Sequence, residues 1–334
     1  MRILVTGGAG YVGSVSVETL LEAGHEVVML DDLSTGHPGA AAGLASAGAR
    51  LERGSYGDAE LVRRILVGER IEAVLHCAAR SLVPESLRDP ARYYRDNVAG
   101  GIALLEALRE TGVDRLVFSS TAAVYGAPES VPIPEDAPLR PINPYGETKR
   151  AFEGAMAWYG AAYGLRSVSL RYFNVAGASG RNGEVHDPET HLIPNILRAA
   201  EGGPPVVVYG DDYATPDGTA VRDYIDVRDL AEAHLLALEA TAPGDPLTDA
   251  PATFNLGSGD GVSVRGILSS AERVVGRPIP HTIGPRRPGD PPVLVAATAR
   301  AGQVLGWRPR RSTPDEMIGS AWAWRREHPR GYGG

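Results

Sequence analysis

Residues 2–13 read RILVTGGAGYVG, and this stretch decides the fold. RILVT is a short apolar run of strand character. Gly7, Gly10 and Gly13 follow at three-residue spacing, and residues 11–23 continue as a helical pattern that stops at Gly24. A strand that passes through a glycine turn into a helix opens a parallel α/β sheet. Gly7 permits the tight turn, Gly10 lets backbone approach a pyrophosphate at the helix N-terminus, and Gly13 lets helix pack on strand. Asp31 ends the next strand, residues 26–30, close to the ~20-residue spacing of a carboxylate that binds adenosine ribose hydroxyls. That carboxylate repels a 2′-phosphate, and residues 32–37 contain no arginine to accept one, so the pattern selects NAD over NADP.

Outward from this start, apolar runs at 50–53, 73–77, 115–119 and 167–171 alternate with helical stretches. That alternation is the signature of a parallel sheet covered on both faces. Residues 89–111 form a long helix candidate interrupted in pattern by Gly100 and Gly101, residues 144–163 a second with Pro144 suited to its first turn, and residues 38–49 a surface loop or short helix. After Phe173 glycine and proline become frequent. Helices are expected at 191–201, 229–239, 264–275 and 315–326, and strands at 206–209 and 253–256. The organisation expected is a nucleotide-binding domain over 1–175 and a smaller α/β substrate lobe over 176–334, with interleaved boundaries and some segments returning to the first domain.

The chain has 334 residues, 43% hydrophobic and 22% charged, with net charge −8. This excludes a disordered polymer, a basic nucleic-acid surface and a polybasic membrane anchor. No apolar run approaches the ~20 residues of a membrane helix. The first residues read directly into a strand rather than a leader. Cys77 is the single cysteine, so no intrachain disulfide forms. A reducing, cytoplasmic setting is expected.

Of 33 basic residues, 32 are arginine and one is lysine, Lys149. It falls four residues after Tyr145, which on a helix puts both side chains on one face. A phenol of pKa near ~10 is a poor base, and an adjacent ammonium together with a positive nicotinamide ring favours the phenolate. Ser119, Ser120 and Thr121 end a strand at the carboxyl edge, where such sheets bind ligands. His76 reads as a packed strand-end residue. The eight histidines show no metal-ligand spacing in sequence, and no metal is expected. No G-x-S-x-G hydrolase elbow occurs.

Together these residues resemble the extended short-chain dehydrogenase/reductase family, within it the nucleotide-sugar 4-epimerases. The resemblance runs through TGGAGYVG (6–13), LDDLSTG (30–36), HCAARSLVPES (76–86), NVAGG (97–101), FSSTAAVYG (118–126), NPYGETK (143–149) and LRYFNVAGA (170–178). It continues in THLIPN (190–195), YGDDYATPDGTAVRDYIDVRDLA (209–231), NLGSGDGVSV (255–264) and PRRPGD (285–290). The fold it implies is α/β, a Rossmann-type doubly wound parallel sheet with a smaller C-terminal lobe.

The activity it implies is interconversion of UDP-glucose and UDP-galactose through oxidation at sugar C4, rotation of a 4-ketosugar and return of hydride to the other face. Tyr145 then takes the C4 hydroxyl proton, Thr121 bonds that oxygen, and Lys149 bonds the nicotinamide ribose. Cofactor contacts implied by position are Tyr11, Val12, Asp32, Ser34, Ser55, Tyr56, Cys77, Ala78, Ala79, Arg80, Asn97, Ser119 and Tyr172. The diphosphate grip falls to Arg222 and Arg287, the pyrophosphate–sugar contact to Asn174, and the uridine ribose to Asp290. His191, Leu192, Val207, Tyr209 and Val264 line the uridine end. Leu294 stands where some members carry a tyrosine beside the sugar C2 substituent, which implies room for an N-acetyl group.

Two departures stand out. Ser55 occupies the place of an adenine-binding carboxylate, with Asp58 three residues on, and Arg80 takes the place of a family lysine. Ala122 and Ala123 follow Thr121 where 4,6-dehydratases carry Asp-Glu, so water elimination is excluded. A 4-epimerase of another UDP-sugar and an inactive NAD-binding scaffold are the alternative functions. A homodimer is expected through residues 89–111 and 144–163.

Overall fold

A computed structural model of the chain describes residues 1–244, 247, 252–287 and 290–333. Pro288 and Gly289 of the PRRPGD stretch, and Gly334, lie outside the described residues.

The first half alternates as the apolar runs require. In chain order it contains β1 (Arg2–Thr6), α1 (Tyr11–Glu22), β2 (Glu26–Asp31), α2 (Pro38–Ser46), β3 (Arg50–Arg53), α3 (Ala59–Gly68) and β4 (Ala73–His76). Then come α4 (Val83–Arg88), α5 (Pro90–Tyr93), a π-helical turn (Tyr94–Ala99), α6 (Gly100–Thr111), β5 (Arg115–Thr121), α7 (Pro144–Tyr163) and β6 (Arg166–Tyr172). The second half adds β7 (Asn174–Ala176), α8 (Leu192–Ala200), β8 (Val206–Tyr209), β9 (Val221–Arg222), β10 (Tyr224–Asp226) and α9 (Val227–Ala240). It closes with β11 (Ala252–Leu256), β12 (Val262–Ser263), α10 (Val264–Val275), β13 (His281–Gly284), β14 (Val293–Leu294), α11 (Ala299–Val304) and α12 (Pro314–Glu327).

Seven strands pair in parallel in the order β11-β6-β5-β4-β1-β2-β3. The order reverses beside β1, which puts the ligand crevice of a doubly wound sheet between the carboxyl ends of β1 and β4. Apolar cores cover both faces. Val17, Leu20, Leu230 and Leu238 of α1 and α9 pack on one, and Val62, Leu104, Phe152 and Met156 of α3, α6 and α7 on the other. Residues beyond β6 thus supply β11 and α9 to the first sheet. A separate core under α8, α10 and α12 gathers Ile193, Ile196, Val206, Val208, Ile267 and Met317.

The helix expected over 89–111 is not interrupted at its glycines. A Cβ on Gly101 would lie 2.6 Å from the Phe152 ring, and one on Gly100 3.1 Å from Tyr56. Those glycines let α6 press against α7 and the loop after β3. The irregularity falls earlier, in the π-turn. Residues 38–49 hold the helix α2, which ends at Ser46. Strands β7, β9, β10, β12, β13 and β14 escape a reading by periodicity because each has only two to four residues.

Candidate active site

The glycine turn is as tight as its spacing requires. Gly7 has φ +72°, and a Cβ there would lie 2.7 Å from the backbone of Ala78, just past β4. A Cβ on Gly13 would lie 2.0 Å from the Gly7 carbonyl oxygen. Gly10, by contrast, would meet only that oxygen, at 3.4 Å. It caps α1 with no side-chain hydrogen bond. The first turn of α1 thus presents backbone N–H groups and the positive end of its dipole to the crevice. Asp31 is buried and anchors the rim: Oδ2 accepts from Ala9 N at 2.9 Å and Oδ1 from Leu33 N at 2.8 Å. Burial raises its pKa, and those backbone donors pull it back. Asp32 accepts from Ser34 N at 2.9 Å. A glycine cradle, an unblocked helix N-terminus and a fixed carboxylate fit a dinucleotide.

Across the crevice, Asn143 caps α7 by accepting from Gly146 N at 2.8 Å, with Pro144 in the first turn. A Cβ on Gly146 would lie 2.5 Å from the Ala123 carbonyl oxygen, so the first turn of α7 rests on the chain just after β5. That contact brings Tyr145 to Thr121. Burial pushes the Tyr145 phenol up to about 12, and the neighbouring Thr121 hydroxyl works against that rise. Thr121 Oγ1 also accepts from Ala123 N at 3.1 Å.

Lys149 binds backbone. Its Nζ lies 6.0 Å from the Tyr145 ring centre and 4.5 Å from that of Phe118, and it donates to the Ser119 carbonyl at 2.7 Å. Burial draws its pKa down to about 8. The Ser119 carbonyl holds the ammonium, and burial is the largest influence on the Tyr145 phenol.

Ser119 is itself held. Its Oγ lies 2.8 Å from His234 Nε2 and donates to Cys77 Sγ at 3.3 Å. His234, buried on α9, also reaches Ser16 of α1 at 3.3 Å. No sequence spacing marks His234, since α9 meets β5 only in the tertiary fold. Below this layer Glu153 of α7 binds Ser120 at 2.5 Å and Arg171 of β6 at 2.6 Å. His76 is packed as expected, with Nδ1 2.6 Å from Thr6 Oγ1, and burial lowers its pKa to about 3.

The remaining cofactor candidates form the walls. Asn97, in the π-turn, accepts from Arg80 N at 2.8 Å and donates to the Arg80 carbonyl at 3.0 Å, clamping the segment that carries Cys77, Ala78 and Ala79. The Arg80 guanidinium pairs with Asp96 at 3.2 Å. Tyr56 donates to the Asp96 carbonyl at 2.6 Å. Ser55 accepts from Gly57 N at 3.1 Å. Asp58 caps α3, its Oδ1 accepting from Glu60 N and Leu61 N. Tyr11 donates to the Gly177 carbonyl at 2.6 Å. Tyr172 is half-buried beside Ser119.

The candidate substrate residues all come from the second half. Arg222 on β9 pairs with Asp290 at 2.5 Å, and Leu294 pairs with Arg222 across the β9–β14 ladder. Arg287 stacks 4.0 Å over the Tyr209 ring. Asn174 donates to the Asp223 carbonyl at 2.9 Å. Val207 and Tyr209 stand exposed on β8, and Val264 opens α10. His191 precedes Leu192 at the start of α8.

The histidines are less scattered in space than in sequence. Glu184, His186, Glu189 and His191 place one potential ligand atom each within 4.8 Å of one another. Burial alone would lower His191, but Glu184 and Glu189 raise it to about 10.

Residues 3–257 match the model of the NAD dependent epimerase/dehydratase family. A UDP-glucose 4-epimerase of Lactobacillus helveticus is 51% identical over 335 residues, covering 99% of both chains. The crystal structure of UDP-glucose 4-epimerase from Brucella ovis in complex with NAD has TM-score 0.90 and 44% identity, over 96% of this chain and 97% of that one. The enzyme from Bifidobacterium longum in complex with NAD+ and UDP has TM-score 0.92 and 35% identity, over 99% of this chain and 100% of that one.

Proposed function

The chain belongs to the NAD dependent epimerase/dehydratase family, and from that membership and its site we propose that it interconverts UDP-glucose and UDP-galactose with NAD as a retained cofactor. The observation that carries this reading is the meeting of Thr121 and Tyr145, above Lys149, opposite the glycine turn of β1 and α1. The relatives named above support the substrate.

The chemistry supplied by the nicotinamide cofactor, when bound, is reversible hydride exchange at sugar C4, through a 4-ketosugar that turns over before hydride returns to its opposite face. The α1 N-terminus, the 7–13 turn and Asp31 would hold the dinucleotide. Tyr145 Oη moves the C4 hydroxyl proton, and Thr121 Oγ1 orients the phenol. A phenol resting near 12 in the protein's own environment is a strong base once deprotonated, and added positive charge in the crevice favours that form. Lys149 supplies charge below, fixed by the Ser119 carbonyl. Arg222, Asp290 and Arg287 would grip the UDP end, so that the substrate is anchored by its nucleotide while the sugar turns.

Among the described residues no helix is long and apolar enough to cross a membrane. A homodimer fits the exposed Trp158 and Tyr163 on α7 (76% and 59% exposed).

The test is incubation of the purified protein with UDP-galactose and no added NAD, with products separated. UDP-glucose is expected. Release of NAD on denaturation with no turnover of any UDP-sugar overturns the reading in favour of a scaffold.

A further inference from the structure

We propose that Glu184, His186, Glu189 and His191 form a binding site for one divalent transition-metal ion, with Zn2+ the best-matched species. The four lie in the run E-V-H-D-P-E-T-H, residues 184–191, just before α8.

Three observations carry this. First, the ligand atoms are mutually close, all within 4.8 Å. His191 Nδ1 lies 2.8 Å from Glu184 Oε1 and 3.1 Å from Glu189 Oε1, while His186 Nδ1 lies 3.2 Å from Glu184 Oε1 and 3.7 Å from Glu189 Oε2. A tetrahedral ion with bonds of about 2.0–2.2 Å sets its donors about 3.4 Å apart, and the observed separations straddle that value. Second, His186 Nδ1 is sealed from solvent and makes no hydrogen bond. The carboxylate oxygens are near it but out of line, so a buried imidazole nitrogen faces the cluster without a partner. Third, the Glu184 and Glu189 side chains are 7% and 4% exposed, yet among the described residues neither forms an ion pair with an arginine. In a chain of 32 arginines their neighbours are two imidazoles.

Two imidazoles and two carboxylates suit zinc among the divalent ions. Four protein donors leave no open position, so the site is structural rather than catalytic. Its place gives it a task. The Val185 carbonyl accepts from His37 Nε2 at 2.8 Å, and the His186 ring meets Tyr11 edge-on at 6.4 Å. His191 is the residue from which α8 starts. An ion there, replacing the imidazole protons, staples the loop between the cofactor turn and the uridine side.

The experiment uses the purified protein with its retained cofactor. It is dialysed against chelator, loaded with Zn2+, freed of excess, and assayed for metal content and by calorimetry. One zinc per chain is expected. Both His186→Ala and Glu189→Gln should weaken binding by at least ~100-fold, beyond the ~10–100-fold that outer contacts to a ligand cost. Co2+ in place of Zn2+ should give the intense visible bands of a tetrahedral N/O site, a readout in the wild-type protein that needs no variant to fold. Absence of stoichiometric zinc overturns the proposal, as does His186→Ala binding it equally well, the mark of an adventitious ion only. Neither outcome depends on epimerase activity.

Discussion

Tyr145 and Lys149 are 8% and 3% exposed and stand on a 20-residue helix pressed against a seven-stranded sheet. Val207 and Tyr209 are 40% and 38% exposed and stand on a four-residue strand whose single partner is β13. The first region holds its groups with interior packing, where a small displacement meets backbone on every side. The second holds them with ladders of two to four residues and with ion pairs such as Arg222–Asp290. Proton transfer needs fixed distances, whereas a nucleotide must enter and leave.

If that contrast is right, damage to the buried region appears in turnover and damage to the open region in substrate binding. Tyr145→Phe should cut kcat by ~100- to 10,000-fold, the usual worth of general acid–base catalysis, with UDP binding preserved. Turnover within a few-fold of wild type would remove Tyr145 from the proton path.

Next in size is a pH effect. Burial lowers Lys149 from 10.5 to about 8. The unfolded chain keeps that proton to about pH 10.5, so between these values unfolding binds a proton and stability rises with pH. Below pH 8 the buried charge costs roughly 3 kcal/mol, from ~2.5 units at ~1.36 kcal/mol each. Lys149→Met should flatten the denaturation free energy against pH across that window. An unchanged slope would show that the ammonium is solvated.

Arg222→Ala should raise KM for the UDP-sugar by ~10- to 100-fold, as loss of a charged hydrogen bond of ~1.5–3 kcal/mol implies, and leave kcat within a few-fold. A fall in kcat instead would mean that the open region also positions the reacting sugar.

The smallest effect concerns Leu294, which packs on the small core cluster that includes Val124 and Phe173. Leu294→Tyr should narrow the space beside the sugar and reduce kcat/KM for UDP-N-acetylglucosamine relative to UDP-glucose by several-fold. Equal loss for both sugars would place this side chain away from the C2 substituent.

The same contrast explains what was legible beforehand. The strand–turn–helix of residues 2–22, the period of the central strands and the Tyr145/Lys149 spacing are local patterns, and each appears where it was read. Two features depend on partners distant in sequence. His234 meets Ser119 only after α9 crosses to the first sheet. Lys149 turns to a carbonyl because Phe118 and Ser119 pass beneath it. The 184–191 cluster is local in sequence, but only the fold of its loop brings the four ligand atoms within 4.8 Å of one another. Two-residue strands carry no period at all, so the outer wall was visible only as a resemblance of motifs.

The late arrival of β11 has a consequence during synthesis. Strand β6 ends at Tyr172, and its outer edge is paired only by residues 252–256. At ~5–20 residues per second, the intervening roughly 80 residues (252 minus 172) leave that edge bare on the ribosome for on the order of ten seconds. The helix that covers the same face, α9, emerges within this interval. A nascent chain halted before codon 252 therefore carries a nearly finished apolar sheet with an open parallel edge, a template for pairing with its neighbour on the same polysome. Translation speed through that stretch, rather than the stability of the finished protein, sets its exposure to aggregation.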